Sequence, residues 1–232
     1  MNTLPTIAII GGTGKEGKGL AFRWAKTGYH VIIGSRTPEK ARSTAAELIT
    51  LLSGTPDSSM LLSPAVYLDS ADNLTAAQHA DILVLTVPYA AHRSTLESIR
   101  EAAQGKILVD VTVPLVPPKV TKVQMPPSGS AAQEAREILG EGVEVVDAFQ
   151  NISYEHLLAE KSVECDVLVT GSSKEARQQV LELVKAAGMT GWDAGPLENS
   201  VVVEGLTSVL IHLNKQYGLR SSGIRIIGIP AE

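Results

Sequence analysis

The 232-residue chain is short of several things, and each shortage removes a class of function. Cys165 is its one cysteine, so no disulfide closes within the chain and no multi-thiolate metal site forms. It lies in the apolar run Cys165-Asp166-Val167-Leu168-Val169, which suits a buried structural thiol. Aromatic residues make up 4%, too few for the stacking platforms that hold single-stranded nucleic acid. Positive charge is not in excess: the formal charge of −5 argues against a nucleic-acid partner. The five histidines, at 30, 79, 92, 156 and 212, show no paired spacing on a helix, so no metal site is expected. Met1 to Pro5 lack the pattern of a secretory leader, and no early apolar run is long enough to span a membrane. The expectation is a cytoplasmic protein without a membrane partner. Asn73-Leu74-Thr75 and Asn151-Ile152-Ser153 match the glycosylation pattern, which has no consequence without secretion.

Apolar residues are plentiful at 44%, enough for a sizeable core. The richest stretch runs from Thr6 to Arg36. An apolar run, Ile7-Ala8-Ile9-Ile10, leads into Gly11-Gly12-Thr13-Gly14-Lys15-Glu16-Gly17; a helical segment continues to about Thr27, and a second apolar run, Val31-Ile32-Ile33-Gly34, ends at Ser35-Arg36. The spacing Gly12-x-Gly14-x-x-Gly17 between a strand and a helix is the dinucleotide fingerprint. The first glycine permits the tight turn, the second lets backbone approach a pyrophosphate, and the third allows close helix–strand packing. The pyrophosphate rests on the N–H groups of the helix N-terminus. At the end of the second strand an NAD site would place a carboxylate for the ribose hydroxyls. This chain has Ser35 and Arg36 there, with Lys40 one turn on. A guanidinium grips a 2′-phosphate that a carboxylate would repel, so the reading is NADP(H).

Further along, Pro38 to about Leu52 reads as a helix and Ser53 to Pro64 as a polar, turn-rich stretch. Ala65-Val66-Tyr67 suggests a short third strand, and Asp81 to Thr86 a buried one. A helix over Ala91 to Ala103 and a strand over Lys106 to Asp110 follow. Such continuous apolar runs suit a parallel sheet covered on both faces. From Thr112 to Ser130 the pattern breaks around five prolines, which marks either a wall or lid over the site or a mobile surface loop. Ser130-x-x-Gln133 looks like a capping box. A strand at Glu144 to Asp147 precedes a smaller α/β region: strands over Asp166 to Thr170 and Gly191 to Ala194, helices over Lys174 to Ala187 and Val201 to Tyr217, and a last strand over Ile224 to Ile229.

Several motifs fail. Gly12-x-x-x-x-Gly17-Lys18 nearly spells a phosphate-binding P-loop, but Gly19 stands where a magnesium-binding hydroxyl is required. No tyrosine stands four residues before a lysine, as it does in short-chain dehydrogenases. His212 interrupts the apolar face of its helix, as a core histidine or a catalytic one. Glu198 and Glu204 flank a helix start, where acidic residues are expected. The cofactor is legible while no acid–base group stands out. Ketone or imine reduction needs a positioned proton donor, whereas hydride exchange between two cofactors runs mainly on juxtaposition.

The residues resemble the family of NADPH-dependent reductases of coenzyme F420, a deazaflavin carrier. The likeness is carried by Gly11-Gly12-Thr13-Gly14, Ile33-Gly34-Ser35-Arg36, Val84-Leu85-Thr86-Val87-Pro88, Thr112-Val113-Pro114-Leu115, Gly129-Ser130-Ala131-Ala132 and Ala148-Phe149-Gln150-Asn151-Ile152-Ser153. It continues through Asp193-Ala194-Gly195-Pro196-Leu197-Glu198-Asn199 and Gly223-Ile224-Arg225-Ile226. The resemblance implies an α/β fold: a Rossmann-type doubly wound parallel sheet over residues 1–150, holding NADP(H), and a second, smaller C-terminal α/β domain over residues 151–232, completing a deazaflavin cleft. It implies that Gly12, Thr13, Gly14, Lys15 and Glu16 wrap the pyrophosphate and that Ser35, Arg36 and Lys40 hold the 2′-phosphate. Val87, Pro88, Val113 and Pro114 would border the cofactor, with Asn151, Ile152, Ser153 and Tyr154 beside the two rings. The hydride would pass directly between nicotinamide and deazaflavin with no catalytic side chain, in a homodimer. Gln150 stands where Asn or His is expected and Tyr154 where a small residue is common, and both would reshape the ring pocket. Two other readings stand beside this one: an NADPH reductase of flavin, ferric iron or an imine on the same fold, and a non-catalytic NADP-binding sensor.

Overall fold

The computed structural model describes residues 4–54, 67–158 and 163–228. Strand β1 (Ile7–Ile10), helix α1 (Lys15–Lys26) and strand β2 (Val31–Ser35) form the first unit. Helix α2 (Pro38–Ser53) begins on a proline, whose fixed φ suits a first turn and whose missing N–H costs nothing there. Strand β3 (Leu68–Asp72) starts just after the expected Ala65–Tyr67, of which Ala65 and Val66 lie outside the described residues, as does most of Ser53–Pro64. Helix α3 (Asn73–His79), capped by Asp72, leads to β4 (Ile82–Leu85). Helix α4 (Tyr89–Ile99) begins and ends earlier than Ala91–Ala103, directly after Pro88. Strand β5 (Ile107–Asp110), helix α5 (Ala131–Leu139) and strand β6 (Glu144–Asp147) follow. Ser130 does cap α5, accepting the Gln133 N–H at 3.0 Å.

These strands lie in the order β3-β2-β1-β4-β5-β6, all parallel, a Rossmann-type doubly wound sheet. The C-terminal elements are α6 (Tyr154–Leu157), β7 (Asp166–Gly171), α7 (Lys174–Ala186), β8 (Thr190–Pro196) and α8 (Ser200–Tyr217). Their strands continue the same sheet. β7 pairs antiparallel with β6, and β8 parallel with β7. The expected strand at Ile224–Ile229 does not form among the described residues. The tail instead crosses the start of β7: Ile224 accepts the Asp166 N–H, and the Ile226 N–H goes to the Asp166 carboxylate rather than to a backbone carbonyl. Both faces of the sheet are apolar and covered, which the uninterrupted runs in β1, β4 and β5 require. No helix among the described residues is long and apolar enough to cross a membrane.

Beneath the carboxyl ends of β5 and β6 lies a buried charged network that sequence reading missed. His92 of α4 is 2.7 Å from the Asp110 carboxylate and 3.6 Å from that of Glu134, which also takes the Tyr89 hydroxyl and the Arg93 guanidinium. Glu204 is not a solvated first-turn residue of α8. It is fully buried and caps α5, accepting N–H bonds from Ala131 at 2.7 Å and Ala132 at 3.0 Å. His212, by contrast, is exposed and not a core residue. Burial pushes Glu204 up to about 8, although the two N–H bonds pull the other way. Burial, then the neighbouring Glu204 and Asp110, pushes Asp147 up as well. Burial lowers His92, but Asp110, Glu134 and Glu204 outweigh it, and the net shift is upward.

All three shifts have one sign, so between them the folded protein holds more protons than the unfolded chain. Their stabilisation is complete below the ordinary carboxylate value of 4.5 and is lost as pH rises toward about 8. The melting temperature should therefore fall between about pH 6 and pH 8.5, and Glu204→Gln should flatten that slope. Equal slopes in the two proteins, measured by calorimetry, would contradict this account.

Candidate functional site

The site opens at the carboxyl ends of β1 and β4, where the strand order reverses. The glycine loop is packed to its limit on one side and open on the other. A Cβ on Gly12 would meet the Ile9 carbonyl at 2.9 Å, and one on Gly17 would meet Thr86 Oγ1 at 2.7 Å and Gly12 Cα at 2.8 Å. Gly12 spends its N–H on the Ile9 and Gly34 carbonyls, so it builds the turn rather than facing a ligand. Gly14 is different: the nearest atoms to its would-be Cβ are 3.8 Å away. Gly14 is also the N-cap of α1, and no side chain bonds that helix end. An uncapped helix N-terminus behind an open backbone suits a phosphate.

Two adjoining cavities share Gly14, Thr86, Val87 and Pro88. The smaller, about 210 Å³, is bordered by Thr13, Ser35, Arg36, Lys40 and Asn73. Arg36 and Lys40 are exposed and have no carboxylate partner among the described residues. Ser35 Oγ accepts the Thr37 N–H at 3.1 Å, which leaves its proton to donate. This donor set suits a dianionic phosphate. Asn73 was missed. Its Oδ1 accepts the Gly11 N–H at 3.2 Å and so fixes the glycine loop. Its signal was the Asp72-x-x-Thr75 helix start, where Asp72 accepts the Thr75 N–H and hydroxyl.

The larger cavity, about 710 Å³, takes Lys15 and Glu16 from α1, Val87 and Pro88 from the β4–α4 junction, and Val113, Leu115, Pro117 and Val120 from the proline-rich segment. That segment is thus a wall of the site rather than a detached loop. Pro114 is buried and lines neither cavity; it backs Val113 in the chain. Asn151, Ile152, Ser153 and Tyr154 all line the large cavity. The opposite wall is Thr207, Leu210, Ile211 and Asn214 of α8 with Arg220 and Ser222 beyond it, none singled out from the sequence. Burial pushes the half-buried Glu16 carboxyl up to about 8.

The segment carrying Asn151 to Tyr154 is held from several sides. Phe149 adopts a positive φ of 74°, which a bulky side chain tolerates only when its surroundings insist. Its ring meets the buried Trp24 edge-on at 5.8 Å, and Trp24 donates its indole N–H to Leu183 O at 2.8 Å. Gln150 Nε2 donates to Asp110 O at 2.6 Å and to the Asp147 carboxylate. Asn151 Nδ2 donates to Val203 O and Thr207 Oγ1. Arg23 of α1 donates to the carbonyls of His156, Leu157 and Ala187. A Cβ on Gly19 would lie 2.3 Å from Leu157 Cβ. The residue that spoils the P-loop pattern is therefore a glycine because α6 rests on it. Across the cavity mouth Lys15 Nζ donates to Tyr154 OH at 3.0 Å and sits 4.4 Å from its ring centroid.

Comparison with known proteins gives the family. The family model described as NADP oxidoreductase, coenzyme F420-dependent, matches residues 6–114. The F420-dependent NADP reductase of Methanothermobacter thermautotrophicus is 40% identical, covering 97% of this chain and 96% of its own length. That of Methanocaldococcus jannaschii is 37% identical over 96% of this chain and 98% of its own. A crystal structure from an Arthrobacter species, assigned provisionally as an F420-dependent NADP reductase, superposes with a TM-score of 0.77 over 97% of this chain and 100% of its own. At 24% identity that match speaks to the fold alone. The first two relatives share sequence along nearly their whole length, and on that ground the chain belongs to the family of F420-dependent NADP reductases.

Proposed function

We propose that this protein transfers a hydride directly between NADP(H) and coenzyme F420. The observation that carries the reading is the floor shared by the two cavities. A dinucleotide whose 2′-phosphate sits on Ser35, Arg36 and Lys40 would cross the α1 N-terminus at Thr13 to Glu16 and reach the large cavity beside Val87 and Pro88. There the bound nicotinamide supplies or accepts a hydride equivalent. Ile152, Tyr154 and Val113 give the cavity an apolar wall, Asn151 and Ser153 border it, and Gln150 braces the turn that carries them. No side chain is assigned a bond-making step; fixed orientation of two rings accounts for most of the rate. Residues 1–150 would hold the dinucleotide, and residues 151–232 would complete the cleft.

A second reading rests on the Lys15–Tyr154 contact. It sets a phenol hydroxyl beside an ammonium on the cavity wall, and the pair would serve as a proton donor for carbonyl or imine reduction. NADPH consumption with imines but not with the deazaflavin, abolished in Tyr154→Phe, would favour it.

The homodimer belongs to the same proposal. Val202, Leu206, Val209, Leu213 and Tyr217 form one apolar stripe along α8, with Val202 63% and Tyr217 69% exposed. A monomer by light scattering would remove it. The cytoplasmic setting is part of the same proposal and rests on the sparing use of cysteine, one in 232 residues.

Arg36→Asp should raise the KM for NADPH roughly tenfold or more, the equivalent of one charge-assisted hydrogen bond of about 1.5–3 kcal/mol, and should change that for NADH little. A wild type that uses both nucleotides equally would contradict the 2′-phosphate site. Ser153→Phe should block deazaflavin reduction and leave NADPH affinity nearly unchanged. Reduction that survives this change would place the ring pocket elsewhere.

A further inference from the structure

Among the described residues Lys18 pairs with Glu47, Arg93 with Glu134 and Glu97, and Arg177 with Asp193. Four arginines and lysines that line the two cavities of the site are not so paired, and of these Lys15 is held by the Tyr154 hydroxyl. Arg36 and Lys40 border the small cavity, where a phosphate accounts for them. Arg220 borders the large one and has no carboxylate partner among the described residues. Arg220 is exposed to solvent and to the cavity, where the guanidinium is free to meet an anion.

The turn that carries Arg220 is built, not frayed. Gly218 ends α8 in the left-handed region, at φ 66°, and reverses the chain. The Leu219 N–H bonds Asn214 O at 2.9 Å, and the Ser222 N–H bonds Asn214 Oδ1 at 3.0 Å. Ser222 Oγ donates to Leu210 O at 3.2 Å, and His156 Nε2 lies 3.3 Å from Ser221 O. Gly223 then passes so close to Cys165 that a Cβ would lie 2.3 Å from its sulfur. The backbone on both sides of Arg220 is thus fixed, while its guanidinium is left without a protein anion.

We propose that Arg220 anchors an anionic tail, a phosphate or a carboxylate, on the substrate whose ring occupies the large cavity. A planar guanidinium binds such groups through two parallel N–H bonds. The inference rests on the deazaflavin reading and adds to it a subsite beyond the ring. The dinucleotide's own phosphates are the competing source, and on the proposed reading they would lie toward Gly14 and Arg36.

The test compares coenzyme F420, whose ribityl chain carries a phosphodiester and glutamate carboxylates, with the same deazaflavin ending in the ribityl alcohol. In Arg220→Ala the KM for F420 should rise about tenfold, with the KM for the tail-less ring and for NADPH changed less than twofold. Added salt should weaken F420 use by the wild type and have little effect on the variant. Arg220→Lys should recover part of the loss. Equal effects on both deazaflavins, or a rise confined to NADPH, would overturn the proposal. Fluorescence polarisation of each deazaflavin with the NADP-loaded protein gives the same comparison without turnover. Tail-dependent binding lost in Arg220→Ala, with no reduction of either ring, would keep the subsite and refute the hydride reading. Binding of neither deazaflavin would refute both.

Discussion

Everything at this site depends on how closely helix α1 approaches its neighbours. Gly12 and Gly17 let the helix start against β1 and Thr86, and Gly19 lets α6 lie directly on it. A methyl group at any of these positions would collide within 3.0 Å of another part of the chain. Close approach aims the uncapped helix end at the shared floor of the two cavities. It also brings the 151–157 segment, which borders the larger cavity, against the helix that begins beside the smaller one. One helix thereby sets the distance between the smaller cavity, proposed for the dinucleotide's 2′-phosphate, and the larger one, proposed for the rings. Arg23 and Trp24, one turn further along, lock that distance by bonding α6 and α7.

The opposite support is polar. Asp110 and Asp147, at the ends of β5 and β6, hold Gln150, and His92 and Glu204 hold the elements around them. Burying so many ionisable groups is costly unless they are hydrogen-bonded, and here most are. Such a network tolerates few alternative arrangements. That would suit the proposed floor for two rings held at a fixed separation, since small displacements between reacting atoms slow a transfer steeply.

Much of the fold was legible because it is written in local pattern. Apolar runs of strand length, the glycine spacing and Pro38 at a helix start each act within a few residues. The dinucleotide side of the site is equally local: Gly14, Ser35, Arg36 and Lys40 lie within one βαβ unit and its next turn. What escaped notice depends on contacts between distant parts of the chain. Glu204 bonds α5 across some seventy residues. Asn73 reaches Gly11 from the carboxyl end of β3, two strands away and 62 residues on. Arg220 faces the cavity only because Gly218 turns the chain back. The tail over Ile224–Ile229 carries the apolar alternation of a strand, but the Asp166 carboxylate takes the N–H that a ladder would use. No periodicity in the sequence records that competition.

The central claim is direct transfer between two bound rings. It is tested most directly by following a label from NADPH deuterated at nicotinamide C4 into the deazaflavin. If the two rings meet in this cavity, the visible deazaflavin band bleaches and one deuterium appears at ring C5, whether the solvent is water or heavy water. Bleaching with the label lost to solvent, or oxidation of NADPH without bleaching, would contradict the account.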